Sequence, residues 1–465
     1  MERHGVRFQP ASAVSGTFWA PRAWMHGRWA EAVLLEADRN GRWARVQSGV
    51  AAPAEATVLA GAALPGLVDA HSHAFQRAFA GLAERRDSAH DDFWSWRDRM
   101  YGVALRIEPE TLRDIATQLY VELLHGGYTQ VCEFHYLQHD RDGTPYADPG
   151  TLAWALADAA TAAGIGLTLL PVLYERAGFA QPALRDDQRR FATTADAVLA
   201  LQRAAQGFGV PCGVAIHSLR AARPESIARV AEGAGSGPIH IHVAEQTGEV
   251  DDCLASTGVR PIEWLAQHAR LDARWQLVHA THATPDEIDA VAASGAGVVI
   301  CPTTEANLGD GLPDLPRWLA SPTPLSIGSD SQVCRDALEE LRLLEFGQRL
   351  TLRQRNVAAD PLHQPATAAR LFERVLAGGA AAAGHAQWGF IEGARADLLV
   401  ADPSCEATLG VPGDSLLDAL VFASATRPWR DVMVAGRWVL REHQHTDGAT
   451  IAARFEQAMQ TLWPA

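Results

Sequence analysis

Between residues 66 and 328 the chain carries eight short apolar runs, each followed by a helix signal, and this alternation restricts its possible folds more than any other feature. The runs span 66–71, 128–136, 166–173, 213–217, 239–243, 276–280, 297–301 and 325–328. Parallel strands need a crossover between them, usually a helix, so eight such units predict an α/β fold with a closed (β/α)8 barrel of the TIM type. The helices are punctuated as this predicts. Pro109 opens one and Gly126-Gly127 follows its end, Pro224 opens another, and Thr284-Pro285-Asp286-Glu287 forms a capping box.

Sheet signals bracket the barrel. Upstream, apolar residues 33–35 and Val46 flank Asn40-Gly41, a pair suited to hairpin turns. Downstream, a helix-like segment 366–376 and an Ala/Gly-rich linker 377–383 precede strands at 397–401 and 431–440, the latter containing Ala435-Gly436. A lone hairpin is marginal in water, so the two ends are expected to pair into one small β-sandwich domain. The expected division is 1–63 for its first part, 64–385 for the barrel, and 386–465 for its second part plus a terminal helix.

Composition narrows the function classes. The chain has 40 basic and 55 acidic residues, a net charge of −15, and every basic residue is arginine. An acidic surface argues against nucleic-acid or anionic-membrane partners. The longest nearly apolar run, 162–174, is too short to span a bilayer and contains Pro171. The opening MERHGVRFQP lacks the basic start and apolar stretch of a secretion signal, so a cytoplasmic location is expected. Cys132, Cys212, Cys253, Cys301, Cys334 and Cys405 form no CxxC pair, which fits reduced thiols.

The chemistry lies at the strand ends. His71-Ser72-His73 follows the first run, and alternate residues there project to one side of the barrel mouth. His242 closes the fifth run, His279 closes the sixth, and Asp330 follows the eighth. Three imidazoles and a carboxylate suit Zn²⁺ or Fe²⁺ with a coordination position left for water. His240 has the blander reading of a hydrogen-bonded core histidine.

The motifs VDAHSHA, HVAEQ, LVHATH and SIGSD at successive strand ends make the chain similar to the metal-dependent amidohydrolase superfamily. The segments 71–78, 91–101, 132–139, 215–221 and 303–311 narrow the resemblance to its branch acting on formimino amino acids. The resemblance implies hydrolytic deimination of N-formimino-L-glutamate to N-formyl-L-glutamate and ammonia, a step of histidine degradation, by a homodimer. It implies one divalent metal, zinc before iron, held by His71, His73, His242 and Asp330. A second metal on Glu133 and His135 is not expected, because it would need a bridging carboxylate or carboxylated lysine elsewhere in the barrel, and the chain has no lysine.

His279 and Asp330 would then handle the water, Glu245 would protonate the departing nitrogen, and Gln76 would bond the formimino group. Arg97, Tyr136, His217 and Arg220 would bind the dicarboxylate substrate, since a guanidinium pairs bidentately with carboxylate. Each has a plainer reading: surface ion pairs for the arginines, core polar groups for Tyr136 and His217, a helix N-terminal carboxylate for Glu245, and an exposed loop for Gln76. Trp94 and Trp96 read as packing residues that stiffen a lid within 75–101, and Asn307, Gly309 and Asp310 are candidates for the pocket wall. The competing enzyme class is a deaminase of a heterocycle such as guanine or an s-triazine.

Overall fold

All eight apolar runs form strands, each within one residue of its expected bounds, because a short run bounded by turn residues and buried on both faces has little freedom of register. The computed structural model describes residues 15–86 and 91–464. The chain start that bears on secretion, and residues 87–90 of the expected lid, lie outside the described residues.

The strands in chain order are β1 (Gly16–Met25), β2 (Arg28–Ala37), β3 (Trp43–Gln47), β4 (Thr57–Val58), β5 (Ala63–Leu64), β6 (Leu67–Ser72), β7 (Tyr128–His135), β8 (Gly166–Leu173), β9 (Val214–Ser218), β10 (Ile239–Val243), β11 (Trp275–His279), β12 (Gly297–Ile300), β13 (Leu325–Ile327), β14 (Leu398–Ala401), β15 (Trp429–Val434), β16 (Arg437–Arg441) and β17 (Gln444–His445). β6 to β13 pair in parallel, in sequence order. The barrel closes between its first and last strands: Ser72 bridges Asp330, the Asp330 amide donates to His71 O at 2.9 Å, and the His73 amide donates to Asp330 O at 3.3 Å. Two of the motifs that carry the chemistry therefore also form the seam.

Strands from both ends build one separate sheet, ordered β17-β16-β15-β14-β5-β1-β2-β3, with β4 beside β1. Phe18 on β1 meets Trp438 on β16 with ring centroids 5.6 Å apart. Four strand spacings in a flat sheet would separate them by about 19 Å, so this sheet curls over its own core of Phe18, Val33, Leu35, Trp43, Leu398, Val400 and Met433. Ala435 (φ 48°) and Gly436 (φ 74°) split the expected strand 431–440 into a hairpin, as a two-residue turn with both residues left-handed requires.

One expectation fails. The Ala/Gly-rich 377–383 is no linker: the helix Thr367–Ala382 runs through it. The small residues let this helix approach the barrel backbone, since a Cβ on Gly378 would lie 2.0 Å from Leu325 O and one on Gly379 2.8 Å from Val68 Cβ. His240 Nε2 donates to Ala382 O at the same contact (2.9 Å), which makes it a structural histidine. No described helix is long and apolar enough to cross a membrane.

Candidate metal centre and catalytic pocket

The C-terminal rim of the barrel gathers the predicted metal and water-handling groups from four strand ends, those of β6, β10, β11 and β13. His71 Nε2 lies 3.2 Å from His73 Nε2 and 2.9 Å from His242 Nε2. Asp330 Oδ1 lies 3.5 Å from His71 Nε2 and 3.4 Å from His73 Nε2. Ligands of one tetrahedral ion at about 2.1 Å would sit about 3.4 Å from each other, so the spacing suits a shared cation. The tautomer suits it too: His73 Nδ1 donates to Phe134 O at 3.0 Å, turning the Nε2 lone pair into the cluster.

Burial keeps these imidazoles neutral, as metal binding requires, lowering His71 to about 3 and His242 well below its ordinary value. Burial opposes the Asp330 charge, but His71, His279 and His73 outweigh it and hold the carboxyl low. Among the described residues, both candidate metal-holding groups contain His71, so they form one locus. Glu133, read as a second-metal candidate, is already occupied: it accepts from the Ala74 amide (2.7 Å), Ser72 Oγ (2.9 Å) and Tyr120 OH (3.1 Å). Its role is to fix the turn that carries both histidines.

Beside the cluster, His279 Nε2 faces Glu245 Oε1 at 3.6 Å and Asp330 Oδ2 at 3.7 Å. Burial disfavours its charge, but Glu245, Glu305 and Asp330 raise His279 to about 10. Burial raises Glu245 to about 7, with His279 and Arg220 acting against the rise. The backbone here is strained: Ala244, His279, Ala280, Asp330 and Gln332 all have φ between 48° and 70°. Non-glycine residues in that region cost on the order of 1–3 kcal/mol each and concentrate at functional sites.

A narrow cavity of about 40 Å³ opens onto the cluster, lined by Gln76, Arg97, Tyr136, His217, Arg220 and Glu245 together with Tyr101. Gln76 is buried and its amide donates to Tyr136 OH at 2.9 Å, so it is not an exposed loop residue. Nor are the arginines surface ion pairs. Arg97 and Arg220 keep only 15% and 7% of their side chains exposed, and their nearest carboxylates are Asp98 at 3.5 Å and Glu245 at 4.0 Å. The Nε of each is buried with no partner among the described residues.

The helix Phe93–Ala104 covers this cavity. Trp94 lies under both guanidinium groups, 4.6 Å from Arg97 Cζ and 5.6 Å from Arg220 Cζ, while Trp96 lines the cavity. The proposed wall residues after β12 differ from expectation. Asn307 instead donates to Glu84 at 2.7 Å, Gly309 (φ 72°) caps the helix Pro302–Leu308, and Asp310 is bonded to Gln246. That helix turns Thr304 and Leu308 inward in their place.

Two acids went unassigned in the sequence. Glu305 accepts from the Cys301 amide (3.0 Å) and from His279 Nδ1 (3.3 Å), orienting that imidazole. Asp69 accepts from the Ser329 amide (2.9 Å) and Ser329 Oγ (2.6 Å), tying the first motif to the last. Both sit inside motifs already noted, and that adjacency was the available signal.

A closed parallel barrel with three imidazoles and a carboxylate converging at its rim defines a class, the barrels built to hold a divalent metal beside a proton-transfer group. The chain belongs to the amidohydrolase family, whose model matches residues 62–439, and that family is metal-dependent. It is similar to the formimidoylglutamate deiminase of Pseudomonas aeruginosa, with 47% identity over 96% of this chain and 99% of that one. A 5-methylthioadenosine/S-adenosylhomocysteine deaminase of Natronomonas pharaonis is 27% identical over 82% of each chain. The crystal structure of an amidohydrolase from Brucella melitensis superposes with a TM-score of 0.91 at 40% identity, covering 96% of this chain and 99% of that one.

Proposed function

We propose that the chain hydrolyses N-formimino-L-glutamate to N-formyl-L-glutamate and ammonia, a step of histidine degradation. The observation that carries this reading is the pair of buried guanidiniums, Arg97 and Arg220, with unspent N–H groups beside the imidazole cluster. Buried donors without partners are costly, and two substrate carboxylates would satisfy them. The 47% identical relative bears the name of this activity. A flat, neutral ring would leave the buried Nε of each guanidinium without an acceptor, which disfavours a heterocycle as substrate.

Zinc is the proposed ion, held by His71, His73, His242 and Asp330, and a bound divalent metal supplies a water that loses its proton near neutrality. Asp330 accepts that proton, and His279 orients the water against the formimino carbon. Gln76 bonds the formimino group, its Oε1 being buried and otherwise unpartnered. Glu245 protonates the terminal nitrogen as the water oxygen bonds to carbon; the proton held by Asp330 then passes to that nitrogen and the hydroxyl proton returns to Glu245 as the C–N bond breaks, so ammonia leaves and the formyl oxygen stays. Tyr136 and His217 complete the wall around the substrate. The proposed setting is a cytoplasmic homodimer.

The test is ammonia release from N-formimino-L-glutamate by metal-replete protein, run beside guanine and 5-methylthioadenosine. Turnover of the linear amidine, lost in Arg97→Ala and Arg220→Ala through a raised KM, is the expected result. Turnover of a ring alone would replace the assignment with the heterocycle reading.

A further inference from the structure

Behind Arg97 three polar side chains form a closed hydrogen-bond group with one proton left over. Tyr101 OH and Tyr174 OH are 3.1 Å apart, and Gln188 Nε2 reaches both, at 3.3 Å and 3.0 Å. The orientation of that amide is fixed, because Gln188 Oε1 accepts the Arg185 backbone N–H at 3.0 Å. Its two N–H bonds are therefore given to the two phenol oxygens.

Two hydroxyls carry two protons, and one of these lies between them. The other has no acceptor among the described residues. Both tyrosines are buried, at 2% exposure each, but of the two only Tyr101 lines the cavity. When Tyr174 donates to Tyr101, the free O–H is that of Tyr101, the one of the two that lines the cavity. Arg97 supplies the complementary charge: its guanidinium lies 5.5 Å from the Tyr101 ring, one helical turn away on the same helix.

We propose that Tyr101 is a further substrate-binding residue, whose hydroxyl donates to the same carboxylate as Arg97, with Gln188 and Tyr174 as positioning residues that hold its proton ready. The inference rests on the dicarboxylate reading above and deepens it. A guanidinium fork sets the plane in which a carboxylate lies, and a fixed phenol beside it sets the depth. The pair thus makes the distance from carboxylate to reacting carbon a selected quantity, favouring one chain length of dicarboxylate.

Tyr101→Phe keeps the ring that packs on Arg97 and Phe191 and removes only the donor. The expected result is a KM for N-formimino-L-glutamate raised about tenfold to a hundredfold with kcat nearly kept, the range for losing a hydrogen bond to a charged group. The two monoamides of this substrate locate the effect. The one whose amide replaces the carboxylate held by Arg97 should respond little to Tyr101→Phe or to Arg97→Ala, and the other should respond to both. Calorimetric binding of glutarate gives a readout that needs no turnover and should weaken in parallel. An unchanged KM and glutarate affinity, or equal losses on both monoamides, would overturn the proposal. A parent protein that never releases ammonia from the diacid would instead remove the function reading beneath it.

Discussion

At the scale of single residues, the site pairs groups whose environments push their proton affinities apart. Glu245 is raised to about 7 by burial, while Asp330 is held low by the imidazoles around it. One carboxyl is thereby available as an acid and the other as a base at the same pH. The sign is definite. A group that must be protonated to act, with a pKa near 7, loses its competent fraction tenfold for each unit above that value. The turnover number of the parent is expected to fall on the alkaline side above about pH 7. Glu245→Gln keeps the shape but donates no transferable proton, so kcat should drop by about 10²- to 10⁴-fold and the alkaline limb should vanish. Steady-state ammonia release across the pH range decides it: a limb that persists unchanged in the variant would assign the titration to another group.

At the scale of elements, what was legible in the sequence depended on how local each cause was. The eight barrel strands could be read because each run carries its own burial, and the capping box at Thr284 could be read because both halves of it lie within four residues. His71, His73, His242, His279 and Asp330 were legible through their place at strand ends. Glu305 and the Tyr101–Tyr174–Gln188 group were not, since their partners lie far along the chain and only the closed barrel brings them together. The end of the helix Thr367–Ala382 was misread for the same reason: glycines that lower helix propensity are kept where the element meets a backbone. Gly378→Ala sets helix propensity against this close approach. Alanine favours a helix by about 1 kcal/mol over glycine, yet its methyl would lie 2.0 Å from Leu325 O and 2.3 Å from Leu325 C, both backbone atoms that cannot swing aside. The clash should prevail, with a net destabilisation of about 1–3 kcal/mol. Denaturant unfolding of the variant checks it, and a gain in stability would show that helix and barrel are free to separate.

At the scale of the whole molecule, the proposed ligands join parts of the barrel that are remote in sequence. His71 and His73 come from the end of β6, His242 from β10, and Asp330 follows β13, so one ion would cross-link the barrel across its closing seam. Binding to the folded state alone stabilises it by RT ln(1 + [L]/Kd), about 4 kcal/mol when the free ion is at 1,000 times its Kd. Unfolding entropy is about 2.1 cal/mol/K per residue, so 465 residues give about 1 kcal/mol/K and the gain corresponds to a Tm shift of about 4 °C. Stripping the metal with a chelator is therefore expected to abolish ammonia release and to lower Tm by about that amount, with added zinc restoring both. Hydrogen exchange locates the loss: amides of 67–73 and 325–330 should open most in the stripped protein, because their mutual hydrogen bonds form the seam that the ion would brace. Asp330→Asn weakens one ligand while keeping the backbone bridge to Ser72, so its Tm should respond less to the chelator than the parent's. A stripped protein with unchanged Tm, exchange and turnover would show that the cluster of imidazoles stabilises and acts without a cation.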